Sequence, residues 1–141
     1  MACPCFFPVE RIRQANGKKT PPIPLGDRWS GVCRAAPDRE WLPDANTLQQ
    51  LCNFGYAREK CARVPADRPD AVRFTISHDR DGLVRIYWVM EKDHLPFAHG
   101  LLEYSRAEAG FRVAHPDACV AQQAQAYVGS YLRRKGDYGR P

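Results

Sequence analysis

Nine of the twelve prolines and five of the six cysteines fall in residues 1–70, and this asymmetry limits what the chain can fold into. Proline lacks a backbone N–H and breaks both helix interiors and central strands. The first half therefore offers few periodic apolar patterns, too few for a core of its own. Lys18-Lys19-Thr20-Pro21-Pro22-Ile23-Pro24 reads as an extended, polyproline-like segment. Residues 71–141 are regular. A chain of 141 residues can bury one respectable core, so the expectation is a single α+β domain. In it a loop-rich, cysteine-stapled lobe (1–70) packs on a small antiparallel sheet with a C-terminal helix (71–141). No internal repeat is visible.

In the second half Val72, Phe74 and Ile76 alternate with Arg73, Thr75 and Ser77, the period-two pattern of a half-buried strand. Asp79-Arg80-Asp81-Gly82 then reads as a hairpin turn, with Gly82 free to take a positive φ. Leu83 to Glu91 is apolar on both faces, which predicts a strand central in its sheet. Gly100 to Tyr104 and Gly110 to Val113 complete an antiparallel meander. His115-Pro116-Asp117 starts a final helix, whose stripe Val120, Ala124, Tyr127, Val128, Tyr131, Leu132 should pack on the sheet before a stop near Lys135-Gly136. A second helix is expected from the N-cap Asp44 through Leu48 and Leu51 to Cys52-Asn53, ended by Gly55.

With 26% charged and 44% hydrophobic residues, the balance is that of an ordinary globular protein. The best apolar run, Ile86-Tyr87-Trp88-Val89-Met90, is far short of a bilayer span, so no membrane role is expected. The start Cys3-Pro4-Cys5-Phe6-Phe7-Pro8-Val9 runs into Glu10, Arg11 and Arg13 and does not read as a secretory signal. A cytoplasmic location follows as the expectation, and with it cysteines kept reduced rather than paired in disulfides. The net charge of +5 is spread along the chain; its one tight cluster, Arg133-Arg134-Lys135, reads as a solvated helix end whose cations suit the negative pole of the dipole.

The cysteines then carry the functional argument. Thiolates are soft ligands that suit iron–sulfur clusters, zinc or Cu(I). Cys3 is followed by proline, as is the last ligand of the bacterial ferredoxin run. Cys33 follows Ser30-Gly31-Val32, where a glycine lets backbone amides approach a sulfur. Cys52 closes a helix, and Cys61 lies among Arg58, Lys60 and Arg63, cations that lower a thiol pKa. Structural zinc usually takes ligands in close pairs with two to four residues between them, and no such knuckle exists here. One cysteine from each of several loops suits a buried cluster better. Free cysteine also often only fills space, and that is the reading for Cys119, one residue off the apolar stripe. Four thiolates fill a cubane, so Cys3 and Cys5 compete for one place across a rigid proline. The ligand set is Cys3, Cys33, Cys52 and Cys61, with [4Fe–4S] favoured and zinc the alternative.

Met1-Ala2-Cys3-Pro4-Cys5-Phe6-Phe7-Pro8, Leu25-Gly26-Asp27 to Cys33, and Leu51-Cys52-Asn53-Phe54-Gly55-Tyr56-Ala57 to Cys61 resemble a group of short bacterial cysteine-motif proteins. The likeness continues through Glu91-Lys92-Asp93-His94-Leu95-Pro96. The group carries no established activity to transfer, and its cysteine pattern implies iron–sulfur binding. Its start is Cys-Pro-x-Phe, from which this chain departs by adding Cys5, so the resemblance too favours Cys3.

Glu91-x-x-His94 with His99 and Glu103 lacks the helix that makes such a pair a metal site, and loop bracing is the better reading. His78 and His115 have no evident partner, and the calcium-like Asp79-Arg80-Asp81-Gly82 lacks the later glutamate. Phosphate-loop, dinucleotide and nucleophile-elbow patterns are missing, and no base–nucleophile pair can be named. Trp29, Trp41 and Tyr56 beside Arg28, Arg39 and Arg58 would serve nucleic-acid stacking, but cover around a metal site explains them better. The leading function is a cluster used for electron transfer or redox sensing with a protein redox partner. The rival is a non-redox module with structural zinc, its basic tail Arg133 to Arg140 meeting nucleic acid or an acidic protein. An enzyme comes third.

Overall fold

The computed structural model describes residues 1–12, 23–36, 38–54, 61 and 63–135. Their order is β1 (Phe6–Ile12), β2 (Arg28–Cys33), α1 (Ala45–Thr47), a π-helical turn (Leu48–Cys52), β3 (Ala71–Arg80), β4 (Leu83–Lys92), β5 (Leu95–Ser105), β6 (Gly110–Phe111) and α2 (Ala118–Lys135). The fold is α+β, with a four-stranded antiparallel sheet in the order β3-β4-β5-β6 and a two-stranded one, β1-β2.

The meander follows its sequence closely. Asp81 (φ 57°) and Gly82 (φ 78°) form the two-residue turn between β3 and β4, both left-handed, which matches the twist of the strands they join. β4 is central, as its two apolar faces require. β5 begins at Leu95 rather than Gly100. Asp93 and His94, both at positive φ, make a second tight turn, and Pro96 is tolerated beside a register shift at Met90/Glu91. β6 has two residues, shorter than its apolar pattern suggested.

The start of α2 is capped by Asp117, whose Oδ1 accepts from the N–H groups of Cys119 (2.9 Å) and Val120 (3.1 Å). Val120, Ala124, Val128 and Leu132 of α2 are buried with Val72, Phe74, Val84, Ile86, Leu102 and Tyr104 of the sheet. Ala2, Cys3, Cys5, Phe6, Leu25, Cys33 and Cys52 belong to the same cluster, so one core draws on both halves. Hydrophobic burial of this kind is what a proline-rich half obtains by leaning on a regular one.

The first half is more ordered than its composition suggested. β1 and β2 pair from Phe6↔Cys33 to Ile12↔Arg28. Gly31 is required there, since a Cβ would lie 2.1 Å from the Phe7 carbonyl oxygen. It permits close strand packing against Phe7 and Pro8. Asp44 caps α1 as expected, its Oδ1 accepting from Thr47 N–H at 2.7 Å. The helix is a single turn that widens into the π turn ending at Cys52. Gly55, residues 18–22 of the polyproline-like segment and Gly136 lie outside the described residues.

Candidate metal centre

Cys3-Pro4-Cys5-Phe6 forms a turn closed by Phe6 N–H donating to the Cys3 carbonyl (3.1 Å). Proline's fixed φ suits the second position of such a turn. The turn is tied down on every side. Ala2 exchanges two backbone hydrogen bonds with Val72 of β3 (2.7 and 2.8 Å), and Cys3 N–H donates to the Cys52 carbonyl (3.0 Å). Arg34 N–H donates to the Cys5 carbonyl (2.8 Å), placing the end of β2 against the turn.

Helix α2 supplies the third side. The carboxamide of Gln123, fully buried, donates through Nε2 to the carbonyls of both Cys3 and Phe6 (2.7 Å each). Cys119 S–H donates to the Cys5 carbonyl (3.6 Å), and Gln122 Nε2 to that of Pro8 (3.1 Å). Cys119 is thereby a packed thiol that braces the turn. Composition and periodicity carry no mark of Gln123; only its place on the buried stripe, one turn after Cys119, hints at it.

Asn53 plays the same part for Cys52. Its side chain is 2% exposed and exchanges bonds with Trp29, Oδ1 accepting from Trp29 N–H and Nδ2 donating to the Trp29 carbonyl (2.9 Å each). Nδ2 donates also to the Leu48 carbonyl (2.9 Å) and so closes the π turn. Residues 28–33 and 48–53 are joined through this one amide.

The thiols brought together in this way interact. Cys3 donates its S–H toward Cys5, which with burial pushes the Cys3 thiol well up and holds Cys5 below its ordinary value, Arg68 helping. Cys3 and Cys5 are thus neighbours within one turn, with the proline between them. Burial raises Cys33, which also feels Cys5 and Cys61. Burial pushes Cys52 up to about 12, with Cys33 and Cys61 adding to it. Cys119 is likewise raised by burial to about 12. Cys3, Cys5, Cys33 and Cys52 are all buried and Cys61 is half-buried; Arg58 and Lys60, its expected neighbours, lie outside the described residues.

The donor set suits a soft metal in its chemistry: four buried sulfurs and a half-buried fifth, with aromatic and aliphatic side chains packed around the buried ones. The indole N–H of Trp29 is buried without a hydrogen-bond partner among the described residues, an unspent donor on the strand that leads to Cys33. The sulfurs are not gathered into a finished polyhedron: among the described residues no group of three or more Cys, His, Asp or Glu is disposed to hold a metal ion. Trp29 and Trp41 pack against the core as cover, whereas Tyr56 lies outside the described residues.

The remaining candidates fall elsewhere. Glu91 is the penultimate residue of β4 and His94 sits in the following turn, so the helical spacing of a Glu-x-x-His site is absent. His115 does have partners: its Nδ1 accepts from Asp117 N–H (3.0 Å), and its ring meets Trp88 edge-on with centroids 4.6 Å apart. The cations closing α2 each have a partner, Arg133 with Asp27, Arg134 with the Gly26 carbonyl and Lys135 with Asp79, while Arg134 and Lys135 keep the solvent exposure expected of a helix end. Among the described residues no helix is long and apolar enough to cross a membrane. Comparison with protein-family models, with curated proteins and with solved structures finds no match to this chain.

Proposed function

We propose that the chain binds an iron–sulfur cluster, [4Fe–4S] in the favoured form, and uses it for electron transfer or redox sensing in a reducing, cytoplasmic setting. Cys33, Cys52 and Cys61 are three ligands, and the Cys3–Cys5 pair supplies the fourth, Cys3 by the sequence pattern. One observation carries the reading: Cys3, Cys5, Cys33 and Cys52, from three segments well separated in the chain, lie in one buried cluster, their backbones joined by the Cys3 N–H bond to the Cys52 carbonyl and the Arg34 N–H bond to the Cys5 carbonyl, with Cys61 half-buried. The protein would add burial and amide hydrogen bonds that set the potential.

The rival reading, a zinc-stapled module meeting nucleic acid or an acidic partner through its basic tail, is less well supported. Three of that tail's cations are engaged within the fold, and residues 136–140 lie outside the described residues.

Anaerobic purification tests the proposal. The expected protein is brown, holds iron and acid-labile sulfide, and bleaches with dithionite. Cys52→Ser is expected to lose the iron and Cys119→Ser to keep it. Colourless protein carrying zinc would sink the cluster, and affinity for nucleic acid falling steeply with salt would then favour the rival.

A further inference from the structure

A cavity of about 570 Å³ opens beside Cys33, within the ~300–1,000 Å³ range of small-molecule sites. Its frame is the loop after β2. Cys33 and Trp41 exchange two backbone hydrogen bonds (2.8 and 3.0 Å), and the Arg34–Glu40 ion pair (2.7 Å) closes the neck of the loop. Between them Ala35 and Ala36 leave the wall free of bulk.

Two cations face this space. The Arg63 guanidinium lies flat over the Trp41 ring, 3.5 Å from its centroid. Stacking occupies its face and leaves its N–H edge available, the geometry that fits a carboxylate fork. Arg39 lines the same cavity and has no ion-pair partner among the described residues. Glu40, the one acid among the described residues of the lining, is already paired with Arg34.

We propose that this recess binds a small carboxylate-bearing molecule, held by Arg39 and Arg63 against Trp41 with Cys33 as its floor. Two cations lining one concave, partly apolar recess, one of them held in place on the Trp41 ring, concentrate anions there. The recess concerns the solvent side of Cys33 and stands apart from what the sulfurs hold.

Alkylation of the full chain, as purified and after a chelator has removed any bound metal, tests it. Iodoacetate and iodoacetamide both place a carboxymethyl-type carbon on sulfur: the S–C bond forms, iodide leaves, and the thiol proton goes to buffer. Both consume the same thiolate, so the ratio of their rates at Cys33, read by peptide mass, is blind to how readily the thiol ionises. Relative to the chain unfolded in urea, the iodoacetate-to-iodoacetamide ratio is expected to rise about tenfold in the folded chain. It should fall back in Arg39→Gln and in Arg63→Gln and shrink in high salt. Arg39→Gln leaves the Trp41 stack intact and guards against a misfolded Arg63 variant. A folded-chain ratio equal to the unfolded one, or one indifferent to both substitutions, overturns the recess while leaving iron content to judge the cluster separately.

Discussion

In the four-stranded meander β3 passes to β4 and β4 to β5 through turns of two residues, so each of these strands meets a neighbour that is close in sequence. The cysteine-bearing segments are held by side chains far away in the chain: Asn53 bonds Trp29 across 24 positions and Gln123 bonds Cys3 across 120. The meander rests on repetition of a local pattern, whereas the cysteine segments add a few single-copy amides to their share of the common core. A substitution in the meander should therefore cost what its buried area dictates, and one in the cysteine half what its lost hydrogen bonds dictate.

The largest effect of this kind is expected at Ile86, fully buried in the central strand beneath α2. Ile86→Ala removes three buried carbons and leaves a cavity in a sheet that cannot collapse around it, a loss of about 3–4 kcal/mol in urea denaturation. Because the core is shared, both regions should unfold together. Two separate transitions, with the cysteine half unaffected, would show that the halves are independent.

Asn53→Ala comes next, at about 2–3 kcal/mol. It strands the half-buried Trp29 N–H and carbonyl, whereas the Leu48 carbonyl keeps its bond from Asn53 N–H (2.9 Å). Hydrogen exchange should quicken in β2 and the π turn before it does in β4. Uniform quickening would mean that the amide acts through global stability and has no special hold on the cysteine segments.

The same contrast governs what could be read beforehand. Alternation at Val72–Ser77, the Asp81-Gly82 turn and the two-faced β4 are local signals, and strand, turn and central position all follow from them. Pro96 hid the start of β5 from Leu95 to His99, because a proline tolerated at a bulged edge looks the same in sequence as one that ends a strand. Phe6-Phe7-Pro8-Val9 shows no alternation, so β1 was invisible; its partner needed Gly31 only because Phe7 and Pro8 press on it from across the sheet. At the candidate centre the ligand types were legible, since thiols advertise their chemistry. Their supports were not. Gln123 and Asn53 act through backbone carbonyls and amides that any residue could have presented, and such contacts leave no trace in spacing.

Asp79, on the bulged end of β3, offers the smallest effect and the one with a pH signature. Its carboxylate receives Arg106 (2.9 Å), Tyr131 O–H (2.5 Å) and Lys135 (2.6 Å), tying the end of α2 to the meander. Burial works to raise this carboxyl, and the bonds from Lys135 and Tyr131, with the charge of Arg106, overcome it and hold the group below its ordinary value. A carboxyl depressed in the folded state stabilises at any pH above its unfolded value, about 3.9, and that contribution drains away as pH falls through the lower, folded one. Asp79→Asn should cost about 1–2 kcal/mol at neutral pH, less than a fully buried pair because Lys135 is nearly half exposed and screened. The gap between variant and parent should narrow as pH drops below about 4, and vanish once the parent's carboxyl is protonated. A gap of constant size down to pH 2 would mean that Asp79 holds α2 by shape and hydrogen bonding alone, and that this clasp, unlike the core beneath it, owes nothing to charge.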